Sequence, residues 1–154
     1  MRMRLLLVLG AASALAACST SPPPSAPTTA PAGAPSIAPA NLQGSSWRLV
    51  QIAMSDGVTR PAIDRSRYTL GFGADGVLNV RFDCNRGRGS WMSAGAGDLE
   101  FGPLALTRAM CPMGSLHDEL VRQWPHVRSY VIKDGRLFLV LMADGGTIEF
   151  EPAP

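Results

Sequence analysis

The chain lacks most of what would announce a chemistry. It has two histidines, three cysteines and few aromatics, which make up 6% of its 154 residues. No G-x-S-x-G, phosphate-binding Walker loop or H-E-x-x-H occurs, so the commonest hydrolase, nucleotide and metalloprotease signatures are missing. No apolar run reaches the roughly 20 residues that a bilayer-spanning helix needs. The length leaves no room for a second full-sized core. A surplus of charge is also absent. Arg2 and Arg4 precede Cys18, and beyond them 12 basic residues face 12 acidic ones. A general nucleic-acid binder needs a basic excess to neutralise phosphates, so nucleic acid is not an expected partner.

What is present begins at the amino terminus. Met1 to Arg4 is a basic n-region, and Leu5 to Ala17 is an apolar h-region. It ends in Leu15-Ala16-Ala17-Cys18. Small residues before a cysteine at the end of such a stretch resemble the lipobox of bacterial lipoprotein signal peptides. That resemblance implies cleavage before Cys18 and acylation of its sulfur and new amine. Several acyl chains make membrane attachment stable where one does not, at about 0.8 kcal/mol per buried CH₂. Residues 1–17 are therefore read as a signal peptide and Cys18 as the lipidation site, which makes the membrane the first partner. Ser19 stands where inner-membrane lipoproteins of the enteric type carry Asp, so the outer membrane is the expected destination, with the domain in the periplasm.

Residues 18–41 form the tether. Seven of the 13 prolines fall between Pro22 and Pro39, there is no charge, and Ile37 is the one large apolar residue. Such a segment cannot bury enough surface to offset its ordering entropy. As polyproline II it would extend at about 3.1 Å per residue.

From Leu42 to Pro154 the pattern changes to period-2 alternation. Tyr68, Leu70 and Phe72 share one strand face, as do Leu78, Val80 and Phe82; Ala74-Asp75-Gly76 between them is a hairpin turn signal. Tyr130 and Ile132, then Leu137, Leu139 and Leu141, flank Asp134-Gly135; Asp144-Gly145-Gly146 turns again before Ile148 and Phe150. Arg136 to Met142 is apolar on both faces, which predicts a central strand covered on both sides. Trp47, Leu49 and Ile52 mark an early strand whose alternation is less clean. Leu116, Leu120 and Trp124 form one helical stripe, with Ser115 as N-cap, Asp118 three residues on, and Pro125 as the stop. The expected fold is α+β: mostly antiparallel strands, a curved sheet or partly open barrel of about eight, closing over one short helix.

Cys84 and Cys111 remain once Cys18 carries lipid. In an oxidising compartment the pair reads as a disulfide. The alternatives are free buried thiols, a zinc site with His117 and His126, or a thiol nucleophile with His117 as base. The zinc reading lacks paired ligand spacing, and nothing marks a thiolate-stabilising site. Asp98 and Glu100 are the closest alternating carboxylates, on what reads as a solvated strand face.

The residues around these cysteines resemble the META-domain family, typified by the HslJ heat-shock lipoprotein, over Leu42 to Glu151. Gly44-Ser45-Ser46-Trp47-Arg48-Leu49 resembles its Gly-x-x-Trp-x-Leu. Cys84-Asn85-Arg86 with Gly89 resembles its Gly-Cys-Asn motif and following glycine, and Thr107 to Cys111 its Thr-x-x-x-Cys. Ser129-Tyr130, Leu137-Phe138-Leu139 and Ile148-Glu149-Phe150 resemble its last strands. The chain departs at Asp83, where the family has Gly. The resemblance implies a β-rich domain with a helix, secreted or lipid-anchored, linked to envelope or heat stress, with no catalytic residues to carry over and no cofactor.

Asn85 and Thr107 read as residues that bond local backbone. Trp47, Trp91 and Trp124 read as core. Arg86-Gly87-Arg88-Gly89 reads as a Gly-rich turn that, with Arg81, makes a basic knob on a neutral domain. The expected function is a non-enzymatic envelope lipoprotein, binding or structural, whose partner is an envelope component or an acidic protein. The rival is a lysozyme-inhibitor-like protein whose Arg86–Arg88 loop plugs a carboxylate-lined cleft.

Overall fold

The computed structural model describes residues 42–95 and 97–154. The segments read as signal peptide and tether, with Cys18, lie entirely outside the described residues. Ten strands form one antiparallel sheet: β1 (Ser46–Met54), β2 (Thr59–Pro61), β3 (Tyr68–Phe72), β4 (Val77–Phe82), β5 (Asn85–Met92), β6 (Glu100–Phe101), β7 (Ala105–Leu106), β8 (Val127–Lys133), β9 (Arg136–Leu141) and β10 (Gly146–Pro152). Eight of them run in the order β6-β5-β4-β3-β1-β10-β9-β8, while β2 pairs with β1 and β7 with β5. The two ends of that path almost meet. Leu99 N–H donates to Arg128 O at 3.1 Å and Tyr130 N–H to Gly97 O at 2.7 Å. The result is a nearly closed barrel, which leaves little strand edge unpaired.

The helix α1 (His117–Gln123) and a 3-10 turn, Trp124–His126, pack onto the core through Leu116, Leu120 and Trp124. Pro125 ends the α-helix where its ring excludes a further backbone hydrogen bond. The helix is shorter than the apolar stripe suggests, and its N-cap is Leu116, not Ser115. The Ser115 hydroxyl instead accepts from His117 N–H at 3.2 Å.

Inward faces follow the alternation. Leu70, Phe72, Leu78, Phe82, Leu137, Leu139, Ile148 and Phe150 are all essentially inaccessible. The ragged early strand has a physical cause: the register between β1 and β10 shifts between Leu49 and Gln51. The extra residue, Val50, is a bulge, so Trp47, Leu49 and Ile52 all stay on the core side. Asp134 (φ 52°) and Gly135 (φ 73°) make the β8–β9 turn, with both residues in the left-handed conformation such a tight turn requires.

One strand departs from expectation. β9 lies next to the last strand of the path, and its outward residues Phe138 and Val140 are half-buried, not covered. A barrel wall has only one dry side, so apolar residues on both faces of this strand do not make it a sandwiched one.

Candidate functional site

The chain around the first motif forms a tight turn between β4 and β5. Asp83 adopts φ 60°. This is the left-handed conformation that glycine takes most easily and Asp tolerates. The departure from the family glycine therefore leaves the turn intact. It also adds a function to the side chain. The Asp83 carboxylate is buried, ion-paired with Arg67, and accepts from the Tyr68 hydroxyl at 3.4 Å. That same hydroxyl accepts Leu116 N–H at 3.0 Å, tying the turn to the helix entry.

Asn85 is completely buried and is the hub. Its Oδ1 accepts from Ala109 N–H at 2.7 Å and from the Thr107 hydroxyl at 2.9 Å. The Ala109 donor fixes the orientation of the carboxamide, because a reversed amide would set N–H against N–H. Nδ2 then donates to Ala109 O at 3.0 Å and faces His117 Nε2 at 3.2 Å. His117 must accept there, which places its ring proton on Nδ1, a buried atom with no partner among the described residues. Thr107 Oγ1 also accepts from Arg86 N–H at 3.1 Å. Cys84 and Cys111 are bonded to each other, and both sulfurs lie 3.5 Å from Asn85 Nδ2. The disulfide consumes the thiols that a zinc site or a nucleophile would need. Among the described residues no three of His, Cys, Asp and Glu gather around a common point.

The Arg-Gly-Arg-Gly stretch is not a turn. It is the first half of β5, and the alternation puts Arg86 and Arg88 outward and Gly87 and Gly89 inward. The glycines make room for the segment that carries Thr107. A Cβ on Gly87 would stand 2.6 Å from Ala105 O, and one on Gly89 2.9 Å from Pro103 O. This explains the motif glycine: backbone crosses it at close range.

On the outer face Arg81 and Arg86 are direct cross-strand partners, and Arg88 is opposite Asn79. Arg81 Nε donates to Asp83 O at 3.2 Å. Among the described residues no carboxylate forms an ion pair with Arg86 or Arg88, and Arg81 acts on the Asp64 carboxylate only through its charge, without a direct bond. Arg48, Arg65, Arg67, Arg122 and Arg136 each have a carboxylate partner. Glu151 on β10 takes Arg48 at 2.7 Å and Arg65 at 2.6 Å, and Glu149 takes Arg136. Burial raises the Glu151 carboxyl, but the bonds from Arg65 and Arg48 outweigh it and hold it below the usual range. The Glu149 hydrogen bond, with its charge, raises Arg136. This glutamate ladder is absent from the sequence reading, although Glu149 and Glu151 flanking Phe150 at period 2 carried the signal.

Of the sequence-predicted residues, Asn85, Thr107 and the two cysteines converge on one knot, Arg86 joins it through its backbone, and Gly89 lies further along β5 against Pro103 and Leu104. Trp47 lies in the core, with its indole N–H on Ser45 Oγ at 2.7 Å. Trp91 and Trp124 are core as well. Asp98 and Glu100 are exposed, Asp98 forming an isolated bridge to Ser129 at the barrel closure. His117 and Asp83 are members of the knot that sequence reasoning missed.

An antiparallel barrel, nearly closed, with one short helix packed on its core and an asparagine–disulfide knot at one turn defines a class of small β-rich domains. The chain belongs to the META domain family, whose model matches residues 40–154. Its fold is similar to a protein from Burkholderia xenovorans solved by NMR, at 25% identity and TM-score 0.62, covering 84% of this chain and 98% of that one. It is also similar to a DUF4847 family protein from Bacteroides vulgatus, at 15% identity and TM-score 0.52, covering 71% and 93%. The second likeness shows fold alone. No functionally curated protein matches the chain at a significant level.

Proposed function

We propose that the protein is a lipoprotein anchored at Cys18 in the outer membrane, and that its META domain holds an anionic envelope component on the outer face of β4 and β5. The reading is non-enzymatic and needs no cofactor; a link to envelope stress is what membership of this family suggests. One observation carries it. Arg81 and Arg86 are like charges placed directly opposite each other, an arrangement that destabilises a sheet unless an anion offsets it. Guanidinium groups side by side match carboxylate or phosphate oxygens in paired hydrogen bonds. The Asn85 knot and the disulfide hold this face rigid, so little ordering entropy is spent on capture.

The lysozyme-inhibitor reading rested on a projecting Arg86–Arg88 loop. A flat strand has no such projection to insert into a cleft, and no other observation favours that reading.

Without its acyl anchor, the protein should sediment with purified peptidoglycan sacculi or with phosphatidylglycerol vesicles at low salt. It should do so less as ionic strength rises. Arg86→Ala with Arg88→Ala should lower retention at least about tenfold, the worth of one or two charge-assisted hydrogen bonds. Equal retention of wild type and double variant on both materials would reject the arginine face as the binding surface.

A further inference from the structure

The outer face that carries the arginines also carries a glycine that the fold does not use. Strand pairing sets the outward side chains there in two rows. Thr69 lies opposite Arg81, and Arg81 opposite Arg86. In the next row Ser46 lies opposite Gly71, Gly71 opposite Asn79, and Asn79 opposite Arg88. Residues directly opposite each other point to the same side of a sheet, so both rows face outward. Between them is a shallow hollow of about 430 Å³ whose lining includes Gly71, Thr69, Asn79, Arg81 and Arg86, with Ser46 at the β1 side. Glycine weakens a strand interior, and its usual reasons are a bulge or the close approach of a backbone or a ligand. At Gly71 the pairing is regular on both sides and φ is not left-handed. A Cβ on Gly71 would meet nothing nearer than 4.0 Å, whereas backbone crosses Gly87 at 2.6 Å and Gly89 at 2.9 Å. The open space above Gly71 thus serves no contact among the described residues. Around it the Ser46, Thr69 and Asn79 side chains have no hydrogen-bond partner among the described residues either.

We propose that this hollow takes an acidic sugar. Its carboxylate or phosphate lies on Arg86 and Arg81, its ring lies over Gly71, and its hydroxyls reach Thr69, Asn79 and Ser46. The inference rests on the anion-binding reading of this face and names the class of ligand. Hydroxyls and a carboxamide each donate and accept, which is what ring hydroxyls ask of a surface. Guanidinium groups supply the paired bonds that an acid group takes. No aliphatic or aromatic side chain stands in either row, so the face offers nothing to hold an acyl chain or an apolar peptide side chain. Strands lie about 4.8 Å apart, so the three spacings from β1 to β5 give roughly 14 Å along the sheet, room for a short oligosaccharide. The bond from Arg81 Nε to Asp83 O holds that side chain along β4, beside the Asn85 knot.

The test is a titration of the protein without its acyl anchor, read by calorimetry and by backbone amide shifts. The probes are trigalacturonate, a glucosamine disaccharide carrying two phosphates, the methyl ester of trigalacturonate, and tricarballylate, a tricarboxylate with no sugar. At least one acidic sugar should bind about tenfold or more tightly than tricarballylate, the gain from one or two added hydrogen bonds. The amides of residues 69–71 and 79–81 should shift with it, and the uncharged ester should bind far more weakly. The two acidic sugars decide between carboxylate and phosphate. Gly71→Val fills the hollow with a side chain that suits a strand. It should keep or raise the thermal midpoint while removing the preference over tricarballylate. Thr69→Val with Asn79→Leu should remove the same preference at unchanged volume. Arg86→Ala with Arg88→Ala should weaken the acidic sugars and tricarballylate together. Equal binding of acidic sugars and tricarballylate, or a preference that survives Gly71→Val, would overturn the sugar inference and leave an anion site standing. Binding of neither, or an ester as tight as the acid, would remove the arginine reading along with it.

Discussion

Asn85 shows how much one polar side chain can decide when it is fully buried. Its two ends satisfy the backbone of Ala109, the Thr107 hydroxyl and His117 at once. No other residue of similar size offers an acceptor and a two-hydrogen donor back to back. Removing it takes away the partner of the Ala109 N–H and carbonyl, of the Thr107 hydroxyl and of His117 at once, and empties a fully buried position. Asn85→Ala should therefore cost about 2–4 kcal/mol in urea unfolding, several hydrogen bonds being lost together with buried volume. Asn85→Asp keeps the shape and the acceptors but loses the donor facing Ala109 O and His117. It should be destabilised as well, unlike a substitution at a position that only fills volume. A cost below about 0.5 kcal/mol for Asn85→Ala would show that the knot is incidental.

At the scale of elements, β5 is the strand on which two requirements meet. Its inward side must admit the 103–107 segment at backbone contact, and its outward side carries the arginines. Period-2 alternation satisfies both with Arg-Gly-Arg-Gly. Gly87→Ala should test the inward requirement without touching the outward one. Its Cβ would meet Ala105 O and the Leu106 side chain, so β7 must move. The expected cost is about 1–3 kcal/mol by thermal or urea unfolding, with the Arg86 and Arg88 positions unchanged in sequence. The backbone φ there is not left-handed, so the penalty arises from crowding alone. A neutral or stabilising Gly87→Ala would mean that the segment does not press on the strand.

For the molecule as a whole, closure depends on long-range ties. The disulfide links residues 27 apart, and in the chain-entropy model a loop of that size stabilises by roughly 3–4 kcal/mol. Carboxylates add a pH dependence. Glu119 is buried on α1; a hydrogen bond from Gln123 lowers its carboxyl, burial opposes this, and Arg122 lowers it further. Glu151 is lowered by its two arginines against the effect of burial. A carboxyl with a depressed folded value binds its proton more readily in the unfolded chain. Its contribution is thus complete above the ordinary glutamate value of 4.5 and is lost as pH falls through the lower folded value. Stability measured by urea midpoint should stay flat toward neutrality and drop below that value. Glu119→Gln should reduce the slope of the drop; an unchanged slope would remove Glu119 as a source.

Local information sufficed wherever neighbours in sequence decide the outcome. Alternation fixed the inward faces of β3, β4, β9 and β10, Asp-Gly pairs located their turns, and the Leu116–Leu120–Trp124 stripe placed the helix. The cysteine count, together with the oxidising setting inferred from the amino terminus, anticipated the covalent tie. The tertiary structure alone decided three things. Arg-Gly-Arg-Gly became strand, since glycine serves a close crossing as well as a turn, and only the approach of residues 103–107 distinguishes the two. Asp83 found Arg67 and Tyr68, and Asn85 found His117, through contacts between segments that no pattern along the chain encodes. Arg48, Arg65 and Arg136 found glutamates, while Arg86 and Arg88 have no ion-paired carboxylate among the described residues. Charge balance is a property of surfaces, and surfaces exist only once the barrel closes.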